Sequence, residues 1–74
     1  MARLLDVQGL ACPLPVLRAK KAIREVPAGA VLEVKATDPG AVKDFQAFCQ
    51  ATGHVLEDWS EAAGVYTFHI RRKG

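Results

Sequence analysis

Few side chains in this sequence could act as nucleophiles or bases: two cysteines, Cys12 and Cys49, and two histidines, His54 and His69. Cys12 has the more telling surroundings. It lies in "GLACPLPVLRAKKAIREV" (9–26), behind a glycine-containing loop and ahead of Pro13 and Pro15, where a helical pattern begins. Proline is tolerated in a first helical turn because those amide hydrogens have no intrahelical acceptor, and its ring fixes φ near the helical value. With Cys12 as N-cap and Pro13 at the first helical position, Leu14 supplies the amide best placed to reach the capping atom, and Pro15 stiffens the turn. The N-terminal end of a helix carries about half a positive charge, which favours a thiolate over a thiol. Cysteine is not among the preferred N-cap residues, so this position points to chemistry rather than to capping.

Acyl transfer would need a base and an orienting group beside the nucleophile. His54 and His69 both fall in strand-like segments and in no catalytic motif. Exchange at sulfur asks for less: thiolate character and access suffice. The simplest chemistry for Cys12 is therefore covalent carriage of sulfur as Cys12–S–SH. Cys49 falls at helical spacing beside Phe48 and reads as core. A Cys12–Cys49 disulfide stays open, since it depends on the Cα separation. No pair among these four residues has the short spacing of a metal site, so no metal site is expected.

The elements that must position Cys12 follow from periodicity. Arg3–Val7 is a short apolar strand; Val16, Ala19, Ile23 and Val26 then form one helical stripe, with Arg18, Lys20, Lys21 and Arg24 off it. "PAG" (27–29) ends that helix. Residues 30–37 alternate, with Ala30, Leu32, Val34 and Ala36 on one face. Asp38 as N-cap and Pro39 at the first helical position open a second helix through Val42, Phe45, Phe48 or Cys49 and Thr52, which Gly53 closes. "HVLEDWS" and "VYTFHIR" form a hairpin joined by Glu61–Gly64, with Tyr66, Phe68 and Ile70 on one face. The order β-α-β-α-β-β predicts an α/β two-layer sandwich: a four-stranded mixed sheet with two helices on one face.

At 74 residues there is room for one domain, 1–74, whose small core must be well packed. A net charge of +2 does not suggest a nucleic-acid binder. The start, "MARLLDVQGLAC", is broken by Arg3, Asp6 and Gln8 and lacks the apolar run of a signal peptide. No segment approaches a membrane span. A reducing cytoplasm is the expected location, and the tail "RRKG" is expected to fray.

"LDVQGLACPLP" reads as Asp-x-x-Gly-x-x-Cys-Pro-x-Pro, and "DPGAVKDFQAFCQATGH" (38–54) supplies an Asp-Pro start and a Phe-Cys pair. Together they resemble the TusA, or SirA-like, family of sulfur carriers over nearly the whole chain. The resemblance implies that Cys12 accepts persulfide sulfur from a cysteine desulfurase or a rhodanese-type donor and hands it to a downstream acceptor protein. The sulfur would be bound for tRNA 2-thiolation, molybdenum-cofactor assembly or sulfur oxidation. It also implies a sulfurtransferase-type covalent carrier rather than a stand-alone enzyme, with no metal or organic cofactor. Pro13, Leu14 and Pro15 would shape the site, and the spacing of Asp6 and Gly9 suits a loop held ahead of Cys12. Arg18, Lys20, Lys21, Arg24 and Asp38 are candidates for docking partners through complementary charge. The carrier is expected to be a monomer, so that its cysteine can visit two active sites.

Two other functions stay open on sequence. Small β-α-β-α-β-β sandwiches also resemble the C-terminal domain of a bacterial translation initiation factor, and the first helix is basic. The sheet pattern, however, shows no exposed aromatic stacking motif of an RNA-binding module. A thiol–disulfide redox protein using Cys12 and Cys49 is the other, though Cys-x-x-Cys is absent.

Overall fold

The computed structural model describes residues 3–74. Its elements are β1 (Arg3–Asp6), α1 (Leu14–Ala22), which runs on as a 3-10 turn over Ile23–Glu25, β2 (Val31–Ala36), α2 (Ala41–Thr52), β3 (Val55–Ala62) and β4 (Val65–Arg71). The sheet order is β1-β2-β4-β3. β1 pairs parallel with β2, and β4 runs antiparallel to both β2 and β3, so the sheet is mixed.

Alternation in β2 decides which face is buried. Leu32, Val34 and Ala36 are fully buried, while Val31, Glu33 and Lys35 are half-buried on the other side. Phe68 stands opposite Val34 and Ile70 opposite Leu32, so both join the buried face, as expected from the sequence. Against it lie Ala19, Ala22, Ile23 and Val26 from the α1 segment and Ala41, Phe45, Phe48 and Cys49 from α2. The Phe45 and Phe68 rings meet at a centroid distance of 4.7 Å. The predicted helical stripes are thus the ones used, with Val16 and Val42 packed at the margin rather than sealed in.

The other sheet face carries no helix, and polar contacts occupy it. His69 of β4 reaches Asp58 of β3 through Nδ1 at 2.5 Å and Glu33 of β2 through Nε2 at 3.1 Å. Lys35 Nζ donates to Thr67 Oγ1 at 3.5 Å. The β3–β4 hairpin closes in two residues, Ala63 and Gly64, both at positive φ, with a bulge between Leu56 and Asp58. This turn is tighter than the four-residue connection expected.

Two expectations fail in detail. His54 precedes β3 rather than lying in it, because the left-handed Gly53 cap redirects the chain there. Nor does the described tail fray. The Arg72 amide donates to Ala30 O and the Gly29 amide to Arg72 O, which continues the β4 ladder past the strand's end. The Arg72 guanidinium also donates to the carbonyls of Arg24 and Val26, and the Lys73 amide to His54 Nδ1 at 2.8 Å.

Since β1 and β2 are parallel and each is followed by a helix, α1 and α2 run in the same sense. Their N-terminal ends both lie where β1 and β2 end, beside residues 7–13. Their C-terminal ends both lie at the opposite edge, with the tail.

Candidate functional site

The loop 7–13 is held from three sides. The Val7 amide continues the sheet onto Lys35 O at 2.8 Å, and Leu10 N donates back to Val7 O at 3.2 Å. The Asp6 carboxylate accepts the Gln8 amide at 3.0 Å, the loop-holding role its spacing suggested. Gly9 has φ +84°, where a side chain is strained, and its amide donates to Thr37 Oγ1 at 2.9 Å. The Cys12 amide donates to Asp38 Oδ2 at 2.7 Å, while Oδ1 of the same carboxylate accepts the Gly40 amide at 3.1 Å. One aspartate therefore ties the cysteine to the start of α2.

Three local expectations are corrected by this geometry. Cys12 is not the N-cap of α1: that residue is Pro13, and Leu14 and Pro15 open the helix. The Leu14 amide is taken by Ala11 O at 2.9 Å, so it caps nothing at sulfur. Asp38 likewise sits ahead of the α2 cap, which is Gly40, although it still holds the Gly40 amide. With both of its oxygens on backbone amides, Asp38 ties the loop to the start of α2.

The Cys12 side chain is exposed and the thiol is free. The expected thiolate bias is also reversed. The Cys12 thiol is held above its ordinary value, first by the Asp44 carboxylate as hydrogen-bond acceptor, then by local desolvation and by the negative charges of Asp44 and Asp38. The physical reason is that helix N-termini attract carboxylates as well as thiolates. Two carboxylates gather where both helices begin, and each disfavours a third negative charge.

Cys12 opens onto a groove of about 430 Å³ between α1 and α2. Pro13, Val16 and Leu17 form one wall and Ala47, Phe48 and Ala51 the other, with Asp44 near Cys12 and Lys20 and Thr52 farther along. Leu17 is 54% exposed, a large apolar side chain left in water in the groove that Cys12 also lines. Of the four basic residues predicted for docking, only Lys20 lines this groove. Arg18 and Lys21 border a separate hollow near β1 with Arg3 and Glu25, and Arg24 faces the tail.

Cys49 lies in the core at 6% exposure, and burial pushes its thiol up. Its sulfur is free. His69 belongs to the helix-free sheet face and His54 to the tail end, so neither stands with Cys12. No group of three or more His, Cys, Asp or Glu among the described residues is arranged to hold a metal ion. No helix among them is long and apolar enough to cross a membrane.

The sequence does not mark Thr37 or the groove wall of Leu17, Ala47 and Ala51 as site residues, and it reads Asp44 only as a cap or surface residue. Thr37 and Asp44 reach the site only through tertiary folding. The one local signal was that Leu17, Ala47 and Ala51 fall on helical faces off the buried stripes.

The chain is a small α/β sandwich that exposes one cysteine, Cys12, just ahead of a proline-started helix. Residues 3–72 match the family model described as sulfurtransferase TusA, and the chain belongs to that family. It is 52% identical to the sulfur carrier protein TusA of Allochromatium vinosum, over 92% of this chain and 90% of that one. It is 48% identical to the sulfur carrier protein TusA of Pseudomonas entomophila, over 93% and 86%. The crystal structure of the SirA-like protein from Desulfitobacterium hafniense superposes with a TM-score of 0.83, at 29% identity and complete coverage of both chains.

Proposed function

We propose that this protein is a sulfur relay in which Cys12 is the carrying atom's anchor. The observation that supports this most directly is the way Cys12 is held. Asp38 grips its backbone amide, so the sulfur is positioned without being covered.

The chemistry is two exchanges at sulfur. The Cys12 thiolate attacks the outer sulfur of a donor persulfide, a new S–S bond forms, and the donor leaves as a thiolate that takes up the proton Cys12 released. Cys12–S–SH results. An acceptor thiolate then attacks that outer sulfur and expels Cys12 as thiolate. The transferred sulfur keeps its oxidation state throughout, so no external oxidant or reductant enters. A cysteine desulfurase or a rhodanese-type protein supplies the sulfur, and a downstream protein on the way to tRNA 2-thiolation, molybdenum-cofactor assembly or sulfur oxidation receives it. No cofactor takes part.

The raised thiol value gives this relay a safeguard. Free in solution near neutral pH, Cys12 is mostly the less reactive thiol. A donor that sets a cationic group against Asp44 would lower the value again, so that nucleophilicity appears inside the complex. The groove supplies the apolar contact, and Lys20 and Asp44 give it charges of both signs.

The deciding experiment is incubation with a cysteine desulfurase and cysteine, followed by intact mass. The wild-type chain gains one sulfur and Cys49→Ser gains the same. Cys12→Ser gains none. A sulfur that persists on Cys12→Ser, or that maps to Cys49, rejects the assignment.

A further inference from the structure

At the far end of the helices from Cys12, a second hollow of about 190 Å³ lies between the end of α1, the last turn of α2 and the tail. Lys20, Arg24, His54 and Arg72 line it over an apolar floor of Ile23 and Phe48, and Thr52 adds a hydroxyl. No carboxylate borders it. The ion pairs among the described residues engage Arg3, His69 and Arg71, but not Lys20, Arg24, Arg72 or Lys73. Arg72 is oriented by the carbonyls of Arg24 and Val26, which fix its guanidinium without neutralising it.

Cations at helix C-termini have an ordinary purpose, since each such end carries about half a negative charge. Two helix ends account for about one unit, against three formal positive charges on the lining residues Lys20, Arg24 and Arg72, with Lys73 close to His54. The excess is unpaired. His54 contributes a donor as well: its Nδ1 accepts the Lys73 amide at 2.8 Å, so in the neutral ring Nε2 bears the hydrogen.

We propose that this hollow binds a small divalent tetrahedral oxyanion, of the phosphate or sulfate kind, through Arg24, Lys20 and His54. Several converging cations favour a dianion over a single carboxylate, and arginine's fork matches oxyanion geometry. At about 30 Å³ per liquid water, the volume accommodates a five-atom oxyanion with water to spare. The hollow is a small, half-open recess with an apolar floor rather than an extended basic stripe, which favours a free ion over a nucleic-acid backbone. The hollow shares Lys20, Phe48 and Thr52 with the Cys12 groove, so an anion here would sit next to whatever occupies that groove.

His54 provides the readout. Burial first, then the charges of Arg72 and Lys73, hold its imidazole below the ordinary value. The groups facing it are Lys20 and Arg24 from the α1 end, Phe48 and Thr52 from α2, and Arg72 and Lys73 from the tail. A bound dianion offsets the positive ones and must raise the His54 midpoint, with His69 on the opposite sheet face as internal control.

The test is proton NMR of both imidazoles during titration with inorganic phosphate at constant ionic strength set by chloride. A sulfate arm is used for the pH series, because sulfate does not itself titrate there. The expected result is a saturable shift at His54, an upward-moved His54 midpoint, and no such response at His69. Arg24→Gln and Lys20→Gln, two separate variants, should each weaken binding at least tenfold, while Lys35→Gln on the helix-free face leaves it unchanged. Four results would overturn the proposal: a non-saturating shift, an equal response at His69, binding unaltered in both groove-end variants, or saturation by a short oligoribonucleotide but not by phosphate.

Discussion

Asp38 and Cys12 are 26 positions apart in sequence and joined by a 2.7 Å hydrogen bond from the Cys12 amide to a carboxylate oxygen. The second oxygen of Asp38 holds the Gly40 amide at the start of α2. The same carboxylate thus sets the position of the thiol relative to the helix that forms the other wall of its groove.

Replacing Asp38 should release both amides. Hydrogen bonds to a charged group contribute about 1.5–3 kcal/mol when well shielded; these are exposed, so Asp38→Ala should cost about 1–2 kcal/mol in urea denaturation. Amide hydrogen exchange at Cys12 should accelerate markedly. Unchanged exchange there would mean that the loop is held by Thr37 and Asp6 alone.

Asp44 should control the acidity of the Cys12 thiol. A carboxylate beside a thiol disfavours the thiolate, so Asp44→Asn must lower the Cys12 value. The rate of alkylation by iodoacetamide, followed against pH, should then rise at lower pH in the variant than in the wild type. A midpoint that stayed put or moved upward would contradict the electrostatic account of the site.

The two histidines should give opposite pH dependences of stability. His69 is raised, first by its hydrogen bond to Asp58 and then by that to Glu33. Its contribution is fully present below the ordinary histidine value of about 6.5 and is lost as pH rises through the higher folded value. His54 is lowered, so its neutral form favours the fold. That contribution is present above the ordinary value and fades as pH falls through the lower folded one. His69→Gln should therefore remove the loss of stability above about pH 6.5 and leave only the acid-side loss due to His54. Urea midpoints measured from pH 5 to 8 check this directly.

Phe45 is one of the two largest fully buried side chains among the described residues. It is fully buried and its ring meets Phe68 at a centroid distance of 4.7 Å. Truncation of a buried phenylalanine costs about 3–5 kcal/mol. A chain of this length has roughly 4–11 kcal/mol in all. Phe45→Ala should leave a substantial unfolded population at 37 °C by circular dichroism, whereas Leu17→Ala, in the exposed groove wall, should stay within about 1 kcal/mol of wild type.

Much of the architecture was legible because periodicity reports burial. The alternation through Leu32, Val34 and Ala36 and the spacing of Ala19, Ile23 and Val26 each marked a face that the fold then covers. Proline at Pro13 and Pro15 marked where α1 begins to within one residue. The electrostatics of Cys12 was not legible, because Asp44 lies 32 positions away in sequence and reaches the thiol only when α2 packs beside α1. The same holds for the tail: "RRKG" looks like a frayed end until Arg72 is seen bonded to Ala30 and to two carbonyls after α1. Local pattern gives elements and faces; charges that meet across elements need the assembled structure.

Cys49 is buried among core side chains while Cys12 is exposed, so of the two cysteines only Cys12 is an outward anchor. In the proposed relay, cargo on Cys12 is not handed to the second cysteine of the same molecule. A disulfide between two copies of this chain would therefore form through their outward Cys12 thiols, and its rate should climb with protein concentration.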